Sequence, residues 1–334
     1  RAMTKKGHVA RLTAAAPSCL GHPMTDAANR FTFSASDNIN GILLMVIARA
    51  VFAVSDSFTK LTGEGALPPT QVLTLRNAIA LPIVLVLAWR LGGLGHIGTA
   101  MRNPALLWRS GIEGVGLLAF VIALPHVTLG QSTVLLLTMP IILVALSALI
   151  FKEDVGWRRW TAILFGFAGV FMVAGPLGGT PNYYLVLTMI TAVTWAVRDL
   201  ITSRIVGHIP SVTVTLFATL AGLAVSLPGA AVEDWRTVGP TDAIYLLCAG
   251  SFVALANFLY ISALRTGAVS VVAPFRYTGA VWGILLGFLI WTDIPDIWGF
   301  VGTFFIIGSG LYTFFRELEL ARGGRSAQEP AKAG

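Results

Sequence analysis

Four charged residues interrupt long apolar stretches of the chain, and their types suggest specific chemistry. Arg49 and Asp56 lie seven residues apart in one stretch, Glu113 lies in another and Arg276 in a third. A charge at bilayer depth is costly unless it is paired or hydrated, so such residues are functional candidates by default. A guanidinium is a planar fork that suits a carboxylate or phosphate. We predict that Arg49, Glu113 and Arg276 bind a solute, and that Asp56 and Glu113 take part in coupling.

Each of these charges also has a purely structural interpretation. Arg109 precedes Glu113 by one helical turn, so the two can form a local i,i+4 ion pair. Asp56 and Lys60 have the same spacing. The sequence leaves both interpretations open.

Polar and aromatic residues away from the ends of the stretches form a second group of candidates. Trp195, Tyr260 and Tyr277 can stack on a planar solute, and the Asn257 amide can bind solute or a neighbouring helix. Packing or lipid contact is the alternative for these side chains. Two prolines, Pro140 and Pro274, remove backbone hydrogen bonds inside apolar stretches, and we predict that they kink helices and take part in gating.

Ten apolar stretches of about 20 residues carry these side chains, a length that crosses the hydrocarbon core of a bilayer. The chain is 12% charged and 55% hydrophobic, whereas soluble domains are about 25% charged. The predicted fold is therefore an all-α membrane protein. The predicted spans are residues 39–59, 70–90, 104–124, 129–150, 157–175, 183–204, 211–229, 240–263, 268–290 and 294–315.

Loop charges predict the orientation of these spans. Eighteen of the 23 Lys and Arg residues fall on one side, Lys60 and Arg236 fall on the other, and three lie within spans. By the positive-inside rule the rich side is cytoplasmic. We expect both termini there, with residues 1–38 a disordered tail and residues 317–334 a second tail.

The two halves of the chain resemble each other. Residues 52–56 (FAVSD) match residues 195–199 (WAVRD), and loop residues 152–154 correspond to residues 292–294. A repeat of five spans is odd, so the second copy enters the membrane upside down. Inverted repeats are typical of secondary transporters, with the solute site between the halves. The predicted repeats are residues 39–175 and 183–316.

Short motifs in both halves resemble those of the drug/metabolite transporter superfamily, in the ten-span type of the EamA family. They are residues 127–132 (VTLGQS), 138–140 (TMP), 151–157 (FKEDVGW), 166–170 (GFAGV), 273–278 (APFRYT), 286–288 (LGF) and 308–312 (GSGLY). The usual acidic loop residue is kept as Glu153, with Asp293 as its counterpart. The resemblance implies an inner-membrane carrier of a small organic solute, similar to carriers of amino acids, nucleoside-type cofactors or vitamins.

Three arginines within spans make the predicted core mildly cationic, which favours an anionic or zwitterionic solute such as an amino acid or a flavin-like molecule. Glu113 would then hold an amine of the solute or an exchanged proton.

The rival classes are an intramembrane enzyme, which needs His/Asp or Ser/Lys clusters, and a channel. The expected partners are a small molecule and the lipid bilayer, without nucleic acid, cofactor or metal. We expect a monomer or homodimer.

Overall fold

The computed structural model describes residues 35–65, 67–151, 157–173, 182–204, 209–266 and 269–326, and all regular structure in these ranges is helical. The first half contains α1 (Ala35–Glu64), α2 (Pro69–Arg90), α3 (Ile97–Met101), α4 (Pro104–Ala123), α5 (Leu129–Leu136), α6 (Met139–Phe151) and α7 (Trp157–Val173). The second half contains α8 (Tyr183–Arg204), α9 (Ser211–Ser226), α10 (Pro240–Thr266), α11 (Val269–Val272), α12 (Thr278–Trp291) and α13 (Ile297–Ser326).

The prediction of an all-α membrane fold is confirmed. Within the described ranges, eight helices are long and apolar enough to cross a membrane, and two shorter apolar helices cover residues 129–143 and 160–173. Helix α1 begins within the predicted tail of residues 1–38, and α13 continues past residue 316 to Ser326. The predicted loop acid Glu153 lies outside the described residues.

Local sequence signals start several of these helices. Asn103 accepts a hydrogen bond from the backbone N–H of Leu106 at 3.2 Å and so caps α4, with Pro104 at the first helical position. Thr128 and Gln131 form a reciprocal capping box at the start of α5. These caps satisfy backbone N–H groups that have no partner within the helix.

Most helix contacts have a counterpart when each helix of one half is exchanged for the corresponding helix of the other half. The α1–α10 contact corresponds to the α4–α8 contact, and α2–α10 corresponds to α4–α9. The pairs α2–α9 and α7–α13 each map onto themselves under the same exchange, whereas α5–α12 has no counterpart among the described residues, because α6 makes no comparable contact with α11. This pattern is that expected of two structurally equivalent repeats.

Two predicted spans are interrupted, one in each half and at equivalent positions. The span of residues 129–150 breaks between α5 and α6, just before Pro140. The span of residues 268–290 breaks between α11 and α12, where Ala273–Tyr277, which contains Pro274, forms a 3-10 turn. At both breaks a threonine hydroxyl donates to the carbonyl three residues earlier: Thr138 to Leu135 at 2.6 Å and Thr278 to Phe275 at 2.7 Å. Kinks were predicted at these prolines, and the structure shows breaks in the helices beside them. The gating role of Pro140 and Pro274 stays a prediction.

Helices α7 and α13 cross at two glycines, which gives a stability prediction. A Cβ atom on Gly302 would lie 2.6 Å from the carbonyl oxygen of Gly169, whereas a Cβ on Gly308 of the same helix would meet nothing within 4 Å. We expect Gly302→Ala to lower the thermal stability of the purified protein, because overpacking costs about 1–3 kcal/mol. Gly308→Ala is the matched control and should not lower it. Equal melting temperatures for the two variants would contradict this packing.

Candidate functional site

Two arginines and two aromatic rings meet beside the interrupted span of the second half. Arg49 and Phe52 lie one turn apart on α1, Tyr260 lies on α10 and Arg276 in the 3-10 turn. The Cζ atom of Arg49 is 5.7 Å from the Phe52 ring centroid, and that of Arg276 is 5.9 Å from the Tyr260 centroid. The two ring centroids are 6.3 Å apart in a T-shaped arrangement. We call Arg49, Phe52, Tyr260 and Arg276 the arginine–aromatic cluster.

Arg49 approaches α12 closely because Gly279 has no side chain. A Cβ atom at Gly279 would collide with the Arg49 guanidinium. The Nε atom of Arg49 is buried and has no hydrogen-bond partner among the described residues. Arg49 and Arg276 also interact electrostatically as like charges. An anion between them would relieve that repulsion and supply hydrogen-bond acceptors.

Arg276 is half-buried, and no hydrogen bond or ion pair to another described residue engages its guanidinium. Its contacts are the Tyr260 ring and longer-range electrostatic interactions with Asp199 and Arg198. This placement combines a charged head open to contact with an aromatic surface beside it.

A second group of charges joins α4 to α8. Glu113 accepts from Arg109 at 2.5 Å through one carboxylate oxygen and from Arg198 at 2.6 Å through the other. Arg198 also donates to Oδ1 of Asp199 from Nε at 3.0 Å and pairs with it from Nη2 at 2.9 Å. We call these four residues the α4–α8 bridge. The local pairing of Glu113 with Arg109 is confirmed, and the occupation of both oxygens favours a bracing role over contact with a solute amine.

Trp195 packs against this bridge. The Arg198 guanidinium lies 5.3 Å from the Trp195 ring, and the Phe120 ring is 5.9 Å away. Gly116 allows the close approach, since a Cβ there would meet Thr194 and Trp195. The indole N–H of Trp195 is buried without a hydrogen-bond partner in the part of the chain that the structure describes.

Asp56 pairs with a residue that its local spacing did not favour. Its carboxylate lies 3.6 Å from Arg76 of α2, and Arg76 also donates to the Ser55 hydroxyl at 3.4 Å. Only 3% of Arg76 is exposed. The interpretation of Asp56 and Lys60 as a local pair is therefore wrong, because Lys60 bonds elsewhere and Arg76 reaches Asp56 across the α1–α2 contact.

Two predicted solute contacts have polar groups that face other parts of the protein. The Tyr277 hydroxyl is buried against Gly310 of α13, and its ring belongs to an apolar cluster with Val134 and Ile306. The Asn257 amide nitrogen donates to the carbonyl of Val253 in its own helix at 2.9 Å. Tyr277 therefore packs two helices together, and Asn257 has only its amide oxygen available.

Sequence reasoning missed Phe52, Arg198 and Asp199 as parts of the site. The signal was present, since residues 52–56 align with residues 195–199 in the repeat, which makes Asp199 the counterpart of Asp56. Electrostatic interactions of Arg276 with Asp199 and of Arg198 with Tyr260 place the bridge near the cluster. The site therefore takes residues from both repeats.

A separate apolar cavity of about 410 Å³ lies between α7 and α13, lined by Phe165, Phe304, Phe305 and Tyr312 among others. Two of these rings are strongly exposed, Phe304 at 75% and Phe165 at 58%. Its lining carries no charged side chain, so it lacks the polar groups that orient a charged metabolite. In the described ranges, no three His, Cys, Asp or Glu residues are grouped to hold a metal.

In the described residues, eight helices of membrane-spanning length, two shorter apolar helices and interrupted spans beside a charged site indicate a multi-pass membrane protein of the carrier type. Residues 39–175 and 182–315 match the EamA-like transporter family, and the chain belongs to that family. It is a transporter of a small metabolite rather than an enzyme.

Relatives with assigned names cover most of the chain. The chain is 28% identical to the riboflavin transporter of Vibrio cholerae over 77% of this chain and 87% of that protein. It is 23% identical to the S-adenosylmethionine uptake transporter of Rickettsia prowazekii, over 84% of this chain and 94% of that one. It is 22% identical to the pseudopaline exporter CntI of Pseudomonas aeruginosa, over 80% and 93%. A crystal structure covering 85% of this chain, at 18% identity and a TM-score of 0.58, shares the fold.

Proposed function

We propose that the protein is a secondary active transporter that moves a small anionic or zwitterionic metabolite across the bacterial inner membrane by alternating access, with both termini cytoplasmic. The observation that carries this proposal is the guanidinium of Arg276, half-buried at an interrupted span and without an ion pair among the described residues. A charge in such a place is costly unless a ligand or water compensates it.

The solute class follows from the arginine–aromatic cluster. The guanidinium groups of Arg49 and Arg276 can donate to a carboxylate or phosphate of the solute. The rings of Phe52 and Tyr260 can stack on a planar ring system of the solute. The relatives named for riboflavin and S-adenosylmethionine support the planar body of this class, since both compounds contain a fused heteroaromatic ring, whereas the anionic group rests on the two arginines because riboflavin is neutral. An aromatic amino acid or a flavin-like molecule fits the same features.

A cationic group on the solute would be held by Asp199 rather than by Glu113. Oδ1 of Asp199 takes both contacts from Arg198, whereas no described residue bonds to Oδ2. Glu113 has no carboxylate oxygen left over. Asp199 would also be the place where a coupled proton is exchanged if the solute has no amine, and Asp56 remains the second candidate for coupling.

Matched ligand pairs test the solute class. We expect tryptophan to raise the melting temperature of the purified protein more than tryptamine, which lacks the carboxylate. Riboflavin 5′-phosphate should likewise exceed riboflavin. Stabilisation at fixed concentration grows with affinity. If tryptamine or neutral riboflavin stabilises the protein more than its anionic counterpart does, the anionic class is wrong.

A channel is the alternative mechanism. Alternating access predicts that uptake into proteoliposomes saturates with solute concentration. Flux that stays linear over the same range would favour a channel.

A further inference from the structure

One lysine ties the two repeats together at the end of the bundle where α1 terminates, which we call the Glu64 end. The Lys60 ammonium donates to the backbone carbonyl of Val127 at 2.7 Å. It lies 3.9 Å from a carboxylate oxygen of Glu64 and 3.9 Å from one of Asp293, and 4.5 Å from the centroid of the Trp291 ring. Lys60 is only 4% exposed. An ammonium so enclosed needs all of these partners.

A second connection reinforces the first. The indole N–H of Trp291 donates to the other oxygen of Glu64 at 2.8 Å. The end of α1, which belongs to the first repeat, is thereby bonded twice to the α12–α13 connection of the second repeat. We call Lys60, Glu64, Trp291 and Asp293 the Glu64-end lock.

The backbone that presents Asp293 is strained. Thr292 has φ 59° and ψ 24°, in the left-handed region, which is unusual for a β-branched residue. The backbone N–H groups of Thr292 and Asp293 donate to the carbonyls of Phe288 and Gly287 at 2.9 and 3.2 Å. Such a conformation persists where surrounding contacts hold it, and it is found at switch regions.

Helix contacts differ between the two ends of the interrupted spans. Below the lock, α5 packs on α12, where Gly283 lies against the Thr133 side chain and Gly130 against Ile284. Beyond the break, α6 packs on α8, α7 and α13, and within the described residues it makes no comparable contact with α11 or α12. The two interrupted spans therefore contact each other closely at the Glu64 end, through α5 and α12, and make no comparable contact with each other beyond the break in the described residues.

We propose that the Glu64-end lock is the gate that holds this closed state, and that separating Lys60 from Asp293 and Trp291 opens the Glu64 end. This inference depends on the proposed alternating access, since a rigid membrane protein would need no such gate. Where a charge-assisted interaction forms in the closed state alone, its removal shifts the ratio of open to closed protein about tenfold.

The test is the reactivity of a thiol beneath the lock, measured on the full chain in detergent without solute. In a Cys19→Ser, Cys248→Ser background, Thr133→Cys places a thiol in the α5–α12 contact. We expect Lys60→Met and Asp293→Asn each to raise the rate of maleimide labelling at this thiol by about tenfold. Glu233→Gln is the control at the same end, because Glu233 bonds to Thr70 of α2 and not to α1 or α12.

The results separate an opened gate from an unfolded protein. If Lys60→Met fails to fold, Trp291→Phe takes its place in the test. This variant removes the hydrogen bond to Glu64 and keeps an aromatic ring, so it should raise the labelling rate by a smaller factor. Unchanged labelling in Asp293→Asn and Trp291→Phe, with melting temperatures like that of the parent, would overturn the gate. Because no solute is present, this outcome is independent of the transport assay. Faster labelling without transport of the tested ligands would contradict the proposed solute class and support the opening of the Glu64 end.

Discussion

Replacing Arg276 with glutamine should weaken solute binding by about tenfold or more while leaving the protein folded. A hydrogen bond to a charged group contributes about 1.5–3 kcal/mol. A bidentate interaction of the guanidinium with a carboxylate or phosphate contributes more than a single hydrogen bond. No described residue forms an ion pair with Arg276, so the substitution strands no opposite charge. The measurement is the dissociation constant of the best ligand from the thermal-shift panel, together with the melting temperature without ligand.

Two further variants sharpen this prediction. Arg276→Lys keeps the charge but loses the planar fork, so its affinity should lie between those of the parent and Arg276→Gln. Arg90→Gln is the matched control, because Arg90 is exposed at the end of α2 beside Trp89. If Arg276→Gln binds as the parent does, Arg276 does not contact the solute. A collapse in melting temperature would instead give it a structural role.

Replacing Glu113 with glutamine should strongly destabilise the protein. Glu113 bridges Arg109 and Arg198, and its side chain is only 17% exposed. Removing one member of a buried ion pair costs about 3–5 kcal/mol, and Glu113→Gln takes a charged partner from two arginines at once. The apparent melting temperature in detergent should fall by several degrees. Asp234→Asn changes an exposed acid in the same way and should have almost no effect.

The Glu113 variant also separates bracing from solute binding. If Glu113→Gln melts like the parent but loses affinity for an amine-bearing ligand, the predicted contact between Glu113 and the solute amine is right and the bracing role is wrong. The converse result, lower stability with affinity retained in the folded fraction, would support the α4–α8 bridge.

The ten spans could be predicted from sequence because they rest on composition and length, which a bilayer constrains strongly. The Arg109–Glu113 pair was also accessible, since both residues lie on one helix one turn apart. The hydrogen bonds from the Thr138 and Thr278 hydroxyls to carbonyls three residues earlier could not be predicted. A proline marks where a helix weakens, but it does not say whether the helix kinks or breaks.

Pairing between helices was the part that sequence could not supply. Arg76 pairs with Asp56 across the α1–α2 contact, and Lys60 lies against Asp293 although 233 positions separate them. Spacing along one helix allowed Asp56 to pair with Lys60, but contacts between helices give each of them a different partner. The internal repeat was the sequence feature that related distant residues, because it aligns Asp199 with Asp56.

Solute counterflow in proteoliposomes tests the central claim most directly. Vesicles loaded with an unlabelled ligand from the thermal-shift panel should transiently accumulate the labelled ligand from outside, without ATP. They should do so with the parent protein and with Arg90→Gln, and much less with Arg276→Gln. If no planar anionic or zwitterionic ligand shows counterflow, or if Arg276→Gln matches the parent, the account of this site is contradicted.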